Sequence, residues 1–169
     1  MDERLRKAER NFKNFLQEGL ITKQTVESFV IDKYTDMSLE SLRTASELFN
    51  KEKSNFWVII MCYYSMFYAA CSFICWKGYK PGSQLTHSVV NEALIVLARK
   101  KLSEELKENY IEQKKAAFEL LEEFNKERRK RNKFQYEVTS NIKEANIKTS
   151  LERAKAFVIV FRDIMQKNK

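Results

Sequence analysis

Residues 128–136, RRKRNKFQY, hold five cations in nine positions and end on a phenol. Arg131 carries a permanently charged guanidinium, which can grip two phosphate oxygens at once. Tyr136 has a phenol whose ordinary pKa of about 10 makes it a poor general base, although it can donate a hydrogen bond to phosphate or stack on a base. The residue types indicate phosphodiester binding. Two structural alternatives stay open: an ion pair for Arg131, and a core or interface position for Tyr136.

The positive charge of the chain is concentrated in one place. The formal net charge is +8, and residues 126–133 (KERRKRNK) supply +5 of it, which leaves +3 for the other 161 residues. A focal patch indicates one site that faces phosphate or an acidic partner, whereas an evenly basic surface would indicate general affinity for polyanions. The alternative is a solvated helix end, where cations suit the C-terminal dipole.

Helical geometry predicts how these side chains are arranged. Positions 128, 131 and 135 share one face of a regular helix, and positions 132 and 136 share the neighbouring face. Cations interleaved with aromatic rings fit single-stranded RNA, whose phosphates pair and whose bases stack. The residues expected to contact nucleic acid, besides Arg131 and Tyr136, are Arg128, Arg129, Asn132, Lys133 and Gln135.

The composition indicates the fold that positions this cluster. A chain of 169 residues with 3 Gly and 1 Pro has few turn signals and is expected to form one all-α domain. Residues 54–76 carry no charge and are long enough to cross a bilayer, but eight of the 23 are aromatic, and three tyrosines lie mid-run. This run is therefore predicted to be a buried core helix, and no membrane association is expected.

Metal and cofactor chemistry is not indicated. The three cysteines all lie inside the apolar run, and the one histidine, His87, has no Cys or His neighbour at zinc-ligand spacing. Core thiols in a reducing compartment are expected, the N-terminus lacks a secretory h-region, and the predicted location is the cytoplasm.

Apolar periodicity and capping residues predict the helices. They cover residues 3–17, 23–51 with an interruption near 35–37, 54–78, 86–100, a helix that starts at Ser103 and leads to the basic cluster, and a last helix capped by Asn141 and Glu144. In the last helix, the predicted core face includes Leu151, Phe157 and Phe161. The stretch between residues 78 and 87 is the clearest loop.

Four motifs occur in a telling order: YYSMFYAA (63–70), KGYKPGSQLTHSVV (77–90), RNKFQY (131–136) and EANIKTSLERAKAFV (144–158). Together they resemble the HEPN domain family over residues 38–166. The resemblance implies an up-and-down helical bundle with the aromatic helix at its centre, at residues 36–169, preceded by an added N-terminal helical extension at residues 1–35. It also implies a homodimer.

The resemblance carries functional expectations as well. Many HEPN proteins are metal-independent RNases, often toxins paired with a nucleotidyltransferase antitoxin, and others bind RNA or nucleotides without known catalysis. Active members carry Arg-x4–6-His; Arg131 matches the arginine, and Tyr136 stands in place of the histidine. His87 resembles a Thr-His element of one subgroup and would either assist catalysis or order its loop. The catalytic hypothesis thus names Arg131, Tyr136 and His87, and the alternative is a non-catalytic module for an acidic protein partner such as the antitoxin.

Overall fold

The protein is all-α, as predicted. The computed structural model describes residues 2–82, 87–105, 121–132 and 144–167. Within these ranges the helices are α1 (Asp2–Gln17), α2 (Ser28–Asn50), α3 (Asn55–Trp76), α4 (His87–Glu105), α5 (121–132) and α6 (Glu144–Gln166). Two short strands, β1 (Ile21–Lys23) and β2 (Tyr79–Pro81), are the β structure of the described residues.

The chain divides into two compact units, and the first joins Met1–Ile31 to Ala70–Glu122. In this unit α1 packs on α4, and the guanidinium of Arg4 binds the carboxylate of Glu92 through two hydrogen bonds of 2.6 and 2.9 Å. β1 pairs antiparallel with β2, with Ile21 opposite Pro81. The N-terminal segment is therefore an integral part of this unit, while the predicted domain boundary at residue 35 stays a prediction.

The second unit joins Asp32–Ala69 to Glu123–Lys169. The apolar side chains of α6 recur every three or four residues along one face, which is buried, as the periodicity predicted. Phe124 of α5 lies in the same core, with ring centroids 5.8 Å from Tyr63 of α3 and 5.3 Å from Phe157 of α6. Aromatic packing thus fixes α5 against α3 and α6.

The uncharged run forms α3, the one helix among the described residues that is long and apolar enough to cross a membrane. Within its most apolar window, 83% of the residues are buried inside the protein. A helix surrounded by protein must be apolar on all sides, which accounts for the missing polar face. The burial confirms the prediction of a core helix.

Three predicted helix boundaries are wrong. α2 begins at Ser28 rather than at residue 23, because Lys23 belongs to β1. α2 is continuous through residues 35–37, because Ser38 does not cap a second helix: it is buried and donates a hydrogen bond of 2.8 Å to the carbonyl of Ser65. α4 continues past Ser103 to Glu105, since no Gly or Pro interrupts it. The two strands were not predicted. Asn141, the predicted cap of the last helix, lies outside the described residues.

Candidate nucleic-acid interface

The described part of the basic cluster lies on α5, which carries five cations: Lys126, Arg128, Arg129, Lys130 and Arg131. Leu121 and Phe124 occupy its buried face. The cations therefore point in several directions around the helix, and their environments differ. Two lysines neutralise acidic residues, one arginine is buried against aromatic rings, and two arginines have no acidic partner in the described structure.

The lysines belong to a network of charges between α5 and α6. Lys126 Nζ lies 2.7 Å from Glu123 Oε1, and Lys130 Nζ lies 3.6 Å from Oε1 of the fully buried Glu127. Arg153 of α6 binds both carboxylates, with Nη1 3.0 Å from Glu127 Oε1 and Nε against Glu123. A buried carboxylate is stable as an anion only beside such cations. These lysine charges therefore stabilise the fold.

Lys130 also ties α5 to α6 through a neutral group. Its ammonium donates a hydrogen bond of 2.6 Å to Oγ of Ser150, which is fully buried. The side chain of Lys130 is 18% exposed, so most of its length is packed within the protein. Lys130 is therefore packed within the protein rather than solvated.

Arg131 is the buried arginine, with 6% of its surface exposed. Its Nη2 donates a hydrogen bond of 3.1 Å to the hydroxyl of Tyr64, and its Nη1 donates one of 2.7 Å to Oδ1 of the exposed Asn132. The guanidinium carbon lies 5.4 Å from the ring centroid of Tyr63 and 5.6 Å from that of Tyr64, which is cation–π distance. The guanidinium is thus held at the boundary between core and surface.

The tyrosines of α3 divide between core and boundary. Tyr63 is fully buried, as predicted. Tyr64 and Tyr68 are half-buried, with their rings stacked 5.8 Å apart, and Tyr34 of α2 stacks on Tyr68 at 6.4 Å. Tyr64 is the member of this set whose hydroxyl accepts a hydrogen bond from Arg131. Because Tyr64 follows Tyr63 directly, the two side chains lie on neighbouring faces of α3. Nothing in the sequence indicates which of these faces packs against α5.

Arg128 and Arg129 do not take part in the charge network between α5 and α6. Arg129 is exposed and Arg128 half-buried, and neither forms an ion pair with any residue that the structure describes. The Nε of Arg128 is buried and has no acceptor among the described residues. Buried donors are normally satisfied, so this group is an exception within the described structure. Arg128 and Arg129 are thus the cations of the cluster that have no acidic partner among the described residues, and the exposed Asn132 lies on the same helix.

Three of the predicted contact residues, Lys133, Gln135 and Tyr136, lie outside the described residues. The Arg131–Tyr136 pairing therefore stays a prediction. His87 is the first residue of α4 and is half-buried. It belongs to the first compact unit, whereas Arg131 belongs to the second. Its participation in a site with Arg131 also stays a prediction.

The three thiols are buried and inert. Burial raises the pKa of Cys62 to about 12, with the nearby Glu127 carboxylate adding to the effect and Lys130 and Lys155 opposing it. Burial likewise raises the pKa of Cys75 to about 11 and that of Cys71 well above its ordinary value. A protonated thiol is a poor nucleophile and a poor metal ligand. Over the described residues, no group of three or more His, Cys, Asp or Glu side chains is placed to hold a metal ion.

The chain matches no protein-family model and no curated protein sequence.

Proposed function

We propose that this protein is a HEPN-like RNA-binding protein whose phosphate site is formed by Arg128, Arg129 and Arg131 on α5. The observation that carries the proposal is the division of charge along this helix. Lys126 and Lys130 are paired with Glu123 and Glu127, whereas Arg128 and Arg129 form no ion pair within the described structure. The unneutralised charge thus lies beside Arg131, whose guanidinium is already oriented.

Such an arrangement suits a polyanion. Arginine has the planar fork that binds two phosphate oxygens, and a cation at the edge of a buried region attracts an anion more strongly than one in open water. Binding would release counterions from the RNA, so that affinity falls steeply as salt rises. A nucleotide would satisfy the same groups with fewer contacts. The proposed setting is the cytoplasm, which the three buried thiols would suit.

The same site supports a proposal of metal-independent RNA cleavage. In that reaction the 2′-hydroxyl gives its proton to a base and attacks phosphorus, the bond to O5′ breaks, and O5′ takes up a proton, which leaves a 2′,3′-cyclic phosphate. Arg131 would stabilise the charge on the phosphorane. Tyr136 or His87 would move the proton, and a homodimer would bring two copies of the site together.

The test measures binding of a short fluorescein-labelled oligouridylate by anisotropy over a series of salt concentrations. The variant Arg128→Ala/Arg129→Ala removes the two unpaired arginines, and Arg6→Ala/Lys7→Ala removes two exposed cations of α1 as a charge-matched control. Loss of two phosphate contacts should flatten the slope of log affinity against log salt by about 1.4. The control should keep the wild-type slope. Equal slopes for the two variants would contradict the proposal.

Cleavage is tested separately, with the oligonucleotide incubated in EDTA and the products resolved for a cyclic phosphate end. Cleavage by the wild type that is absent from Arg131→Ala would support the nuclease proposal. Intact RNA with salt-sensitive binding would leave a binding protein. If RNA is neither bound nor cut, an acidic protein partner such as a nucleotidyltransferase antitoxin becomes the better explanation of the cluster.

A further inference from the structure

The two terminal nitrogens of Arg131 have partners of very different kinds. Nη2 donates to Tyr64, which lies 67 positions earlier in the chain, on α3. Nη1 donates to Asn132, the next residue along α5. One partner is therefore fixed by tertiary packing, and the other is a side chain attached to the neighbouring backbone position.

Tyr64 is the fixed partner. Its ring is half-buried and packs edge-on against Phe67 at 6.2 Å and stacked against Tyr68 at 5.8 Å. The same ring lies under the guanidinium carbon of Arg131 at 5.6 Å. The hydroxyl can leave Nη2 only if this packing is disturbed, and loss of the bond would disturb a guanidinium that is 6% exposed. Tyr64 thus sets the direction in which the guanidinium faces.

Asn132 is the exchangeable partner. Its side chain is exposed, so its amide can rotate into water, where its oxygen is solvated at little cost. The amide oxygen at 2.7 Å from Nη1 is a neutral acceptor. A phosphate oxygen in the same place would be charged, and charge-assisted hydrogen bonds are roughly twice as strong as neutral ones. An anion can therefore displace this oxygen from Nη1.

We propose that Arg131 is a preset phosphate site, in which Tyr64 is the positioning residue and the Asn132 amide occupies the place of a phosphate oxygen until the ligand displaces it. This deepens the function proposed above and rests on it for the identity of the ligand as RNA. It assigns opposite roles to two side chains that accept hydrogen bonds from Arg131. Tyr64 favours binding, whereas Asn132 competes with it.

The test is the direction in which each of two substitutions changes the affinity for oligouridylate. Tyr64→Phe removes the hydroxyl and keeps the ring; it should weaken binding about tenfold, the usual effect of losing a hydrogen bond to a charged group. Asn132→Ala removes the competing acceptor and should tighten binding about threefold. Tyr68→Phe, which removes the same hydroxyl one helical turn along α3, is the matched control and should keep wild-type affinity. Weaker binding by Asn132→Ala would overturn the proposal.

A double-mutant cycle separates positioning from general loss of structure. If Tyr64 acts through Arg131, Tyr64→Phe should have no further effect on affinity in an Arg131→Lys background, which keeps the charge but not the fork. Additive effects would overturn the proposal. Circular dichroism and thermal unfolding of each variant check that it is folded.

A second probe keeps this proposal distinct from RNA binding. Inorganic pyrophosphate, titrated while the arginine side-chain NMR signals are observed, reports on the guanidinium directly. Perturbation of the Arg131 signals in the wild type, with weaker binding in Tyr64→Phe and tighter binding in Asn132→Ala, would support the preset site even if oligouridylate does not bind. The proposed function would then fail alone. Unperturbed Arg131 signals at saturating pyrophosphate would overturn the preset site.

Discussion

Arg153 of α6 and Glu127 of α5 form an ion pair in which the carboxylate is fully buried and Nη1 lies 3.0 Å from Oε1. The same guanidinium binds Glu123, one turn earlier on α5. Arg153 thus neutralises two acids of a helix that is otherwise strongly basic. Because a cation from α6 neutralises these acids, Arg128 and Arg129 of α5 have no acidic partner among the described residues.

Replacement of Arg153 by Met should lower the free energy of unfolding by roughly 3 kcal/mol, since it removes the closer of the two cations beside the buried Glu127 and leaves Lys130 at 3.6 Å. Urea denaturation measures the change. Arg162→Met, which replaces an exposed arginine of the same helix, is the control and should change stability by less than about 0.5 kcal/mol. Adding Glu127→Gln to Arg153→Met should restore part of the loss, and a further loss instead would contradict the assignment of a buried ion pair.

Stability should fall at alkaline pH because the thiols are buried. In the unfolded chain Cys62 would release its proton near its ordinary pKa of 9.0, whereas in the folded protein its pKa is about 12. Between these two pKa values the unfolded state binds fewer protons than the folded state. The contribution of Cys62 to stability is therefore complete below pH 9.0 and is lost as the pH rises toward about 12.

Urea denaturation of wild type and Cys62→Ala across that window tests this effect. The wild-type slope should exceed that of the variant by at most about 1.4 kcal/mol per pH unit. Cys62→Ala also loses packing contacts, but this loss lowers the free energy of unfolding equally at every pH. It therefore does not affect the slope. Parallel curves would mean that the Cys62 thiol ionises as readily in the folded protein as in the unfolded chain.

Replacement of Gly82 even by alanine should lower the stability of the protein. A Cβ at this position would lie 3.2 Å from the carbonyl oxygen of Gly19 and 3.3 Å from that of Leu20, and the amide of Gly82 donates to Leu20. Both obstacles are backbone, so Gly82→Ala must displace the chain beside β1 and should cost about 1–2 kcal/mol. Amide hydrogen exchange at residues 21–23 should quicken in this variant, and unchanged protection there would refute the close approach.

The link between α1 and α4 should also be strong. Arg4 holds both carboxylate oxygens of Glu92, whose side chain is 8% exposed. Arg4→Leu leaves that carboxylate without its cation and should destabilise the protein by about 2–3 kcal/mol, as judged by thermal unfolding. Arg10→Leu, at an exposed position of the same helix, is the control. Equal losses in the two variants would show that the pairing contributes nothing.

The helices were largely predictable because their signals are local. Few glycines and prolines, together with apolar residues every three or four positions, predicted α4 and α6, and the predicted core residues Leu151, Phe157 and Phe161 are buried. The uncharged run was correctly predicted to be a core helix, since its tyrosines do not suit a membrane interior. Two of the errors lie at Ser38 and Ser103, where a serine that is common at helix starts is instead part of a continuous helix.

The strands and the charge pairing were not predictable because they depend on distant partners. The sequences ITK and YKP are too short to show alternation, and Thr22 pairs with Lys80 across 58 residues of sequence. The basic cluster was recognised, but the roles of its members were not. That Arg131 faces Tyr64 while Arg128 and Arg129 stay outside the charge network depends on how α3 and α6 pack on α5.

The pairing of Arg4 with Glu92 has a consequence for synthesis on the ribosome. The two residues are 88 positions apart. At about 5–20 residues per second, α1 is made roughly 4–18 s before its acidic partner. β1 likewise precedes β2 by the time needed to translate α2 and α3. The segment that carries α1 and β1 therefore has to wait, with its apolar face uncovered, until α3 and α4 have been translated.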